Sequence, residues 1–217
     1  MYYVILDLEM CKVPGGLART KYHRGNETIQ IGAVLMNDRF DIVDEYMSYV
    51  KPEYGRIDSF IRNLTGITAE NLADAPGFGE AIRDFASWIP EDDVTIVSWS
   101  MTDKYQMRHD LEIRALENEK LTSLFETWTD CQKIFDDRME YTHPTSLESA
   151  LNLTDVITDR RSHNGLDDAF NTALLYKKLC TESELKLNKY YERMKSGSED
   201  RLTYSLGDLM AALNFSA

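Results

Sequence analysis

The alternation of apolar and polar residues over the first fifty positions predicts three β-strands. Residues 2–8 form an apolar run rich in β-branched and aromatic side chains, which is typical of a strand buried on both faces. A second strand is predicted over residues 29–36. After a turn at Asn37 and Asp38, a third follows over residues 42–50 and is ended by Pro52. The close spacing of these strands favours an antiparallel meander.

The middle of the chain changes to a helical period. Residues 57–89 carry apolar side chains at helical spacing, with breaks at Thr65 and Gly66 and at residues 75–77. A short apolar run over residues 95–99 predicts a fourth strand, and residues 103–116 predict the helix that follows it. Strands and helices therefore mix along the chain, which indicates an α/β fold.

The last third of the chain contains the strongest helical pattern, over residues 167–179. Before it, residues 128–135 show only a weak pattern, and Ser146 has the position of an N-cap before a short helix. The chain becomes polar from Glu182 and ends with an amphipathic stretch over residues 202–213. We therefore predict one α/β domain over residues 1–181 and a C-terminal extension, residues 182–217, that packs on it.

Composition narrows the class of protein. With 217 residues, of which 43% are hydrophobic, the chain can bury one substantial core. Its three cysteines, Cys11, Cys131 and Cys180, are widely spaced and form no CxxC pair, which argues against a disulfide framework and a thiolate zinc site. The apolar run near the start is too short to span a membrane. These features predict a soluble cytoplasmic protein, and a net charge of −13 by itself argues against a nucleic-acid partner.

Two carboxylates lie at the carboxyl end of the first predicted strand. Asp7 and Glu9 are spaced i, i+2, so strand alternation places both side chains on one face. Two neighbouring charges there are costly unless a cation neutralises them, and a divalent metal ion does so well. The alternative for this pair alone is a strand that has simply reached solvent at its carboxyl end.

Two further acids and one histidine occupy comparable places later in the chain. Asp103 follows the fourth predicted strand at the start of a helix, and Asp168 lies in the first turn of the strongest helix. Each by itself is also explained as a carboxylate that the helix dipole favours. His163 precedes Asp168 by five positions, in a loop, where a histidine is usually a surface residue. The other three histidines, His23, His109 and His143, are interpreted as surface residues.

Three segments together resemble the exonuclease motifs of the DEDDh superfamily, which includes ribonuclease T and the proofreading exonucleases. They are residues 4–9 (VILDLE), 98–103 (SWSMTD) and 163–168 (HNGLDD), the last with the His-x4-Asp spacing of the histidine branch. Residues 60–68 and 146–151 resemble the segments that link these motifs. The resemblance covers residues 1–180. Within the superfamily, the Ser-Trp second motif is most similar to the histone-mRNA 3′ exonucleases and the bacterial KapD-type proteins.

The resemblance implies an RNase H-like fold, with a mixed five-stranded sheet flanked by helices. It also implies a site for two Mg²⁺ or Mn²⁺ ions. Asp7, Glu9 and Asp168 would hold one ion, and Asp7 would bridge to a second ion, which Asp103 would support directly or through water. His163 would act as the general base for the attacking water. The implied activity is 3′–5′ exonucleolytic release of nucleoside monophosphates.

The expected substrate is a single-stranded 3′ end, with RNA favoured over DNA. The residues expected to bind it are Leu8, Met10, Thr65, Gly66 and Trp99. Met10 and Cys11 stand where many members carry a threonine that contacts the terminal sugar, so the preference between RNA and DNA is open. Basic residues near the motifs are candidates for a rim that guides phosphates, namely Arg19, Lys21, Arg24, Lys104, Arg108, Arg160 and Arg161. Tyr22, Tyr105 and Trp99 are candidates for stacking on bases or for packing.

Two other classes of function compete with this prediction. One is a regulatory or RNA-binding module that keeps the exonuclease fold and has weak or secondary nuclease activity, in the manner of the KapD-type proteins. A complete set of four acids with His163 argues against a module that has lost its chemistry. The other is a metal-dependent endonuclease or phosphatase on a similar fold, which would lack the His-x4-Asp spacing.

Overall fold

The structure, a computed structural model, describes residues 1–15 and 25–188. Within those residues it contains five strands, which are β1 (Tyr2–Lys12), β2 (Asn26–Met36), β3 (Ile42–Tyr49), β4 (Val94–Ser98) and β5 (Thr129–Asp130). The helices in the same residues are α1 (Ser59–Thr65), α2 (Ala69–Ala73), α3 (Phe78–Trp88), α4 (Thr102–Ile113), α5 (Glu119–Glu126), α6 (Cys131–Met139), α7 (Leu147–Leu153) and α8 (Gly165–Thr181). Residues Met1–Lys186 form one compact unit.

The five strands form one mixed sheet in the order β3-β2-β1-β4-β5. β1 pairs antiparallel with β2, and β2 pairs antiparallel with β3, so the predicted meander is confirmed. β4 lies parallel to β1 on its other side and β5 lies parallel to β4. Because β1 and β4 run in the same direction, the residues that follow them meet at one edge of the sheet.

Helices cover both faces of the sheet. On one face, Val4, Leu6 and Leu8 of β1 belong to the main apolar cluster with Phe85 and Ile82 of α3. On the other face, α8 lies against β1 and β2, and Tyr176 of α8 meets the ring of Tyr3 at a centroid distance of 5.6 Å. α8 is thus packed against the face of β1 opposite to the main cluster.

The element boundaries differ from the prediction mainly where polar residues are buried. β1 continues to Lys12, and β2 begins at Asn26, because the polar residues Glu27, Thr28 and Gln30 lie inside the protein. Because these residues are polar, the pattern of apolar positions does not indicate this part of the strand. The three helices predicted within residues 57–89 are present, and both breaks fall at the predicted places.

Other elements were absent from the prediction. α5 was missed altogether, although Asn118 caps it by accepting a hydrogen bond from Leu121 N. The weakly patterned residues 128–135 contain β5 and the start of α6. Ser146 is the N-cap of α7, as predicted. His109 is buried, so its interpretation as a surface residue was wrong.

Two predictions fall outside the described residues. One is the amphipathic stretch at residues 202–213, on which the prediction that the C-terminal extension packs on the domain mainly rests. The basic loop with Arg19, Lys21 and Arg24 is the other, together with Tyr22 and His23. Within the described part of the chain, none of the helices has the length and apolar character needed to cross a membrane.

Candidate active site

Asp7 and Glu9 share one face of β1, the face that α8 covers. Asp7 lies opposite Gly32 of β2, and Glu9 lies opposite Gln30. Both acids are half-buried. Leu6, which precedes Asp7, and Leu8, which lies between the two acids, are buried on the other face of the strand. The predicted placement of the two carboxylates on a common face is therefore what the strand shows.

Asp168 reaches the same place from α8. The helix begins at Gly165 after the N-cap Asn164, whose side chain accepts a hydrogen bond from Asp167 N. Asp168 Oδ2 accepts a hydrogen bond of 2.8 Å from the backbone N–H of His163, which fixes the carboxylate against the loop that precedes the helix. One oxygen each of Asp7, Glu9 and Asp168 lies within 4.8 Å of the others.

Asp103 lies beside this group of three rather than within it. It is in the first turn of α4, just after β4, and only 6% of its surface is exposed. Its Oδ1 accepts a hydrogen bond of 3.1 Å from the backbone N–H of Leu8, the residue between Asp7 and Glu9. The structure therefore brings all four predicted acids to one edge of the sheet, with three of them in direct proximity.

The pKa of each of the four carboxyl groups is raised. Burial is the largest cause for each of them, and it raises the pKa of Glu9 to about 8 and that of Asp7 well above its usual range. The charge of Asp103 acts next on Asp7, and that of Asp168 acts next on Glu9. The pKa values of Asp103 and Asp168 are also raised by burial, although backbone hydrogen bonds from Leu8 and His163 work against the shift.

These observations test whether the residues suit a divalent cation. Within residues 1–15 and 25–188, none of the four acids forms an ion pair with a lysine or arginine. Crowded carboxylates repel one another when they are ionised. Without a lysine or arginine beside them, they ionise readily only when a cation from solution binds. Oxygen ligands suit hard ions such as Mg²⁺ and Mn²⁺. The donor set therefore fits the predicted metal.

His163 lies at the rim of this group. It is exposed and its backbone has φ 64°, in the left-handed region that residues other than glycine rarely adopt. The hydrogen bond from its N–H to Asp168 accompanies this conformation. His163 is thus accessible from solvent, and its backbone is bonded to one of the acids.

The residues predicted to bind substrate divide into buried and accessible ones. Leu8, Thr65 and Trp99 are 5%, 3% and 8% exposed. Trp99 packs against Phe135, and its indole N–H donates to the carbonyl of Thr145. These contacts favour a packing role for Trp99 over stacking on a base, and Leu8 has little free surface with which to contact a substrate. Met10 and Gly66 remain partly accessible.

Of the four predicted rim residues that the structure describes, two form ion pairs with acids. Arg160 forms ion pairs with Glu45 and Asp167, and Arg108 pairs with Glu112. Arg161 is exposed and its guanidinium lies against Gly66, where a Cβ would stand 2.6 Å from its Nη1. Arg161 is thus better placed than Arg160 or Arg108 to contact a phosphate.

One accessible aromatic residue was missed by the sequence analysis. Phe60 of α1 is 60% exposed, and Lys12 Nζ lies 5.7 Å from the centre of its ring. Ile61 and Thr65 form the buried side of the same helix. Phe60 is out of phase with that buried side, and this was the signal available in the sequence.

A family model described as Exonuclease (RNase T) matches residues 4–176 of the chain. The chain is 27% identical over 218 residues to ERI1 exoribonuclease 2 of Xenopus laevis, which covers 89% of this chain and 30% of that protein. It is 27% identical over 189 residues to 3′-5′ exoribonuclease 1 of Homo sapiens, which covers 83% of this chain and 53% of that protein. The chain thus spans between 30% and 53% of the length of these two relatives.

Solved structures show the same fold. The nuclease domain of 3′hExo, described as a DEDDh family member bound to rAMP, is similar with a TM-score of 0.70 at 23% identity, over 87% of this chain and 96% of that chain. Cell-death related nuclease 4 (CRN-4) is similar with a TM-score of 0.69 at 21% identity, over 86% of this chain and 66% of that chain. The predicted RNase H-like fold with a mixed five-stranded sheet is therefore confirmed.

Proposed function

Because this chain belongs to the exonuclease family, whose model matches residues 4–176, we propose that it is a metal-dependent 3′–5′ exonuclease. It releases nucleoside monophosphates one at a time from the 3′ end of a single strand, and it prefers RNA to DNA. The observation that carries this proposal is the meeting of Asp7, Glu9 and Asp168 within 4.8 Å, with Asp103 hydrogen-bonded beside them.

DEDDh exonucleases generally use divalent metal ions, and the acidic cluster fits such ions. We propose two Mg²⁺ or Mn²⁺ ions in this site, held by Asp7, Glu9, Asp103 and Asp168. When bound, such ions stabilise the charge that develops on the attacking and departing oxygens of a phosphodiester. The four carboxylates must be ionised for this, so their raised pKa values make binding of metal and loss of protons one coupled event.

His163 supplies the general base in this proposal. It accepts the proton that water loses as it attacks the last phosphodiester bond. Its exposure supports this role because the imidazole can reach the substrate. The hydrogen bond from its backbone N–H to Asp168 keeps the base at a fixed place relative to the acids. The bond between phosphorus and the 3′ oxygen of the preceding nucleotide breaks, so that the shortened strand leaves with a 3′-hydroxyl group and the last nucleotide leaves as a 5′-monophosphate.

The accessible residues around the acids suggest how the strand is held. We propose that a base stacks on the exposed ring of Phe60 and that Lys12, whose amine lies over that ring, contacts a phosphate. Arg161 beside Gly66 offers a second phosphate contact. Of the residues predicted from sequence, Met10 and Gly66 keep enough accessible surface to be retained as proposed contacts.

The preference for RNA is supported by the names of the relatives, which are exoribonucleases at 25–27% identity. One solved structure similar to this chain is described as recognising the 3′ end of histone mRNA stem-loop. Those properties belong to the relatives. For this chain they set the order of substrates to test: single-stranded RNA first, matched DNA second and a stem-loop with a 3′ tail third.

The experiment that tests the proposal is digestion of a 5′-labelled single strand with Mg²⁺ or Mn²⁺. A ladder that shortens by one nucleotide from the 3′ end is expected, faster for RNA than for a DNA of the same sequence. Asp168→Asn serves as the inactive control. Internal cuts would indicate an endonuclease, and an unchanged strand that is nevertheless bound would indicate a regulatory or binding module.

We also propose that residues 1–181 are the exonuclease domain and residues 182–217 an accessory extension. The end of α8 at Thr181 supports this division, as does the position of the last site residue, Asp168, before that end. A truncation after Thr181 should fold and cleave a dinucleotide. A folded truncation without any activity would contradict the division. Cys11, Cys131 and Cys180 are free thiols, which supports the proposed cytoplasmic location.

A further inference from the structure

The start of α8 is fixed to β2 by a buried glutamine. Gln30 is fully buried, and its Oε1 accepts a hydrogen bond of 2.8 Å from the backbone N–H of Gly165, the first residue of the helix. The first N–H groups of a helix have no partner within the helix, so Gln30 satisfies one of them from another element. Because an N–H can only donate, this bond also fixes which end of the Gln30 amide faces the helix.

Two glycines bring the backbones of β2 and α8 into direct contact at the same point. A Cβ built on Gly32 would overlap backbone atoms of Gly165 and Leu166. A Cβ built on Gly165 would stand 3.1 Å from the carbonyl oxygen of Asp7 and 3.2 Å from Gln30 Oε1. No side chain separates the helix start from the strand pair that carries Asp7, so the helix cannot approach or withdraw without changing these contacts.

Asp168 follows Gly165 by less than one helical turn. Its backbone N–H donates to the carbonyl of Asn164 at 2.8 Å, which ties it rigidly to the helix start. A shift of Gly165 therefore moves the carboxylate of Asp168 relative to Asp7 and Glu9. Metal sites tolerate little displacement, since Mg²⁺ requires ligand oxygens near 2.0–2.1 Å in octahedral geometry.

We propose that Gln30 is a positioning residue that sets the place of Asp168 in the acid cluster through Gly165. This inference rests on the proposed function, because positioning matters only if the acids act together on a metal. Gln30 touches neither substrate nor reacting atoms in this proposal. It acts on the register between α8 and β1, and it does so from the position directly opposite Glu9.

A role in packing alone explains the same residue less well. Gln30 Nε2 is buried and has no hydrogen-bond partner among the residues that the structure describes. Burying an unpaired donor costs free energy, so an apolar side chain of similar length would suit a purely structural position better. The Gln30 amide therefore uses its acceptor oxygen but not its donor nitrogen. That oxygen is the acceptor that holds the start of α8.

The test compares Gln30→Met, which removes the acceptor, with Gln30→Glu, which keeps an acceptor of the same length at the positive end of the helix. Gln132→Met is the control, because Gln132 on α6 also forms a hydrogen bond between its side-chain amide and the backbone, in its case by donating from Nε2 to the carbonyl of Thr145. Each variant is measured for melting temperature without metal, for Mn²⁺ affinity by calorimetry, and for cleavage of single-stranded RNA at saturating Mn²⁺.

We expect Gln30→Met to lose roughly 10- to 100-fold in Mn²⁺ affinity or in rate, as removal of residues that orient metal ligands does. Gln30→Glu should stay within about threefold of wild type, since it preserves the acceptor that orients the ligand. Gln132→Met should change only the melting temperature. Loss of affinity in Gln30→Met, its rescue in Gln30→Glu and its absence in Gln132→Met together support positioning. Unchanged affinity and rate in Gln30→Met would overturn it.

Gly165→Ala provides an independent arm if Gln30→Met does not fold. Alanine favours the helix, but its Cβ crowds the carbonyl of Asp7, so the helix start must move by a few tenths of an ångström. A melting temperature equal to or above that of wild type with weakened Mn²⁺ affinity is expected, and unweakened affinity would count against the proposal. A wild-type protein that neither binds Mn²⁺ nor cleaves RNA would instead refute the proposed function.

Discussion

Two groups of carboxylates lie between this sheet and its helices, and they differ in what neutralises their charge. Glu27 and Asp110 are fully buried, and both form ion pairs with Arg114. Glu27 also accepts hydrogen bonds from three backbone N–H groups, those of Glu53, Tyr54 and Gly55. Asp110 accepts from the backbone and hydroxyl of Thr28 and from Gln106.

The second group is Asp7, Glu9, Asp103 and Asp168. In the described part of the chain it receives backbone hydrogen bonds from Leu8 and His163 but no ion pair from a lysine or arginine. The first group carries its own cation and needs nothing from outside. The second needs an external cation to ionise fully, and this difference separates an acid cluster that stabilises the fold from one that serves a reaction.

The largest expected effect is loss of activity when one acid of the second group becomes neutral. Asp7→Asn, Glu9→Gln, Asp103→Asn and Asp168→Asn should each reduce the cleavage rate by more than the roughly 10²–10⁴-fold that a single acid–base group contributes. The reason is that each removes a metal ligand charge. Single-turnover cleavage of labelled RNA measures the effect.

Asp167→Asn is the matched control for these four variants. Asp167 neighbours Asp168 on α8 but pairs with Arg160. It should retain most of the wild-type rate. If two of the four amide variants cleaved at the wild-type rate, the assignment of the metal ligands would be wrong.

His163→Ala should slow cleavage by about 10²–10⁴-fold, the usual contribution of a positioned base. Binding of Mn²⁺ should change little, because the contact that His163 makes with Asp168 comes from its backbone N–H. Single-turnover rates at saturating metal measure the loss, with His143→Ala as a control at another exposed histidine. Near-normal rates in His163→Ala would mean that His163 is a surface residue without a catalytic role.

Removing the cation from the first group should destabilise the fold. Arg114→Met leaves two carboxylates buried without a partner, and we expect a loss of about 3–5 kcal/mol in the free energy of unfolding. Arg108→Met is the control on α4, where the exposed pair with Glu112 contributes only about 0.3–0.5 kcal/mol. Urea unfolding compares the two. Equal losses would mean that the buried network does not depend on Arg114.

The smallest expected effect is a dependence of metal-free stability on pH. The folded pKa of Glu9, about 8, lies above its value in the unfolded chain, so the folded state holds the proton more tightly. Stability without metal should therefore fall as pH rises from about 4.5 to 8. Glu9→Gln should raise metal-free stability at pH 8 by roughly 1–2 kcal/mol, after allowance for partial exposure, and have little effect at pH 4.

Chemical denaturation with a chelator present measures this dependence. Glu148→Gln, an exposed acid on α7, serves as the control and should show no such change with pH. If Glu9→Gln and wild type were equally stable without metal at pH 8, the ionised carboxylate of Glu9 would not destabilise the metal-free fold, which would contradict this prediction.

Most of what positions the acids could be predicted from the sequence. The spacing of Asp7 and Glu9 on one strand, and the places of Asp103 and Asp168 at helix starts, follow from local periodicity alone. That the strands carrying them lie side by side came from the resemblance of the three motifs. The pairing of β1 with β4 is a long-range contact that no local pattern encodes.

Two kinds of feature could not be predicted. One is a polar residue that is buried because a residue distant in sequence pairs with it, and the other is an aromatic residue that can either pack in the core or contact a ligand. The first part of β2 was missed because Glu27 and Thr28 pair, inside the protein, with Arg114 and Asp110, which come more than eighty positions later. For Trp99 the sequence left stacking on a base and packing open, and in the structure it packs against Phe135. Phe60 was overlooked although it is exposed, since an aromatic residue in a helix is more often assigned to the core.

The most direct test of the contrast between the two acid groups is the stabilisation of the protein by metal. Thermal unfolding of wild type is measured with a chelator and then with Mn²⁺ at about 100 times its Kd, where binding to the folded state should add about 2.7 kcal/mol. We predict that this gain is lost in Asp7→Asn and kept in Asp167→Asn. A gain of equal size in Asp7→Asn would show that the metal binds elsewhere and would contradict the account.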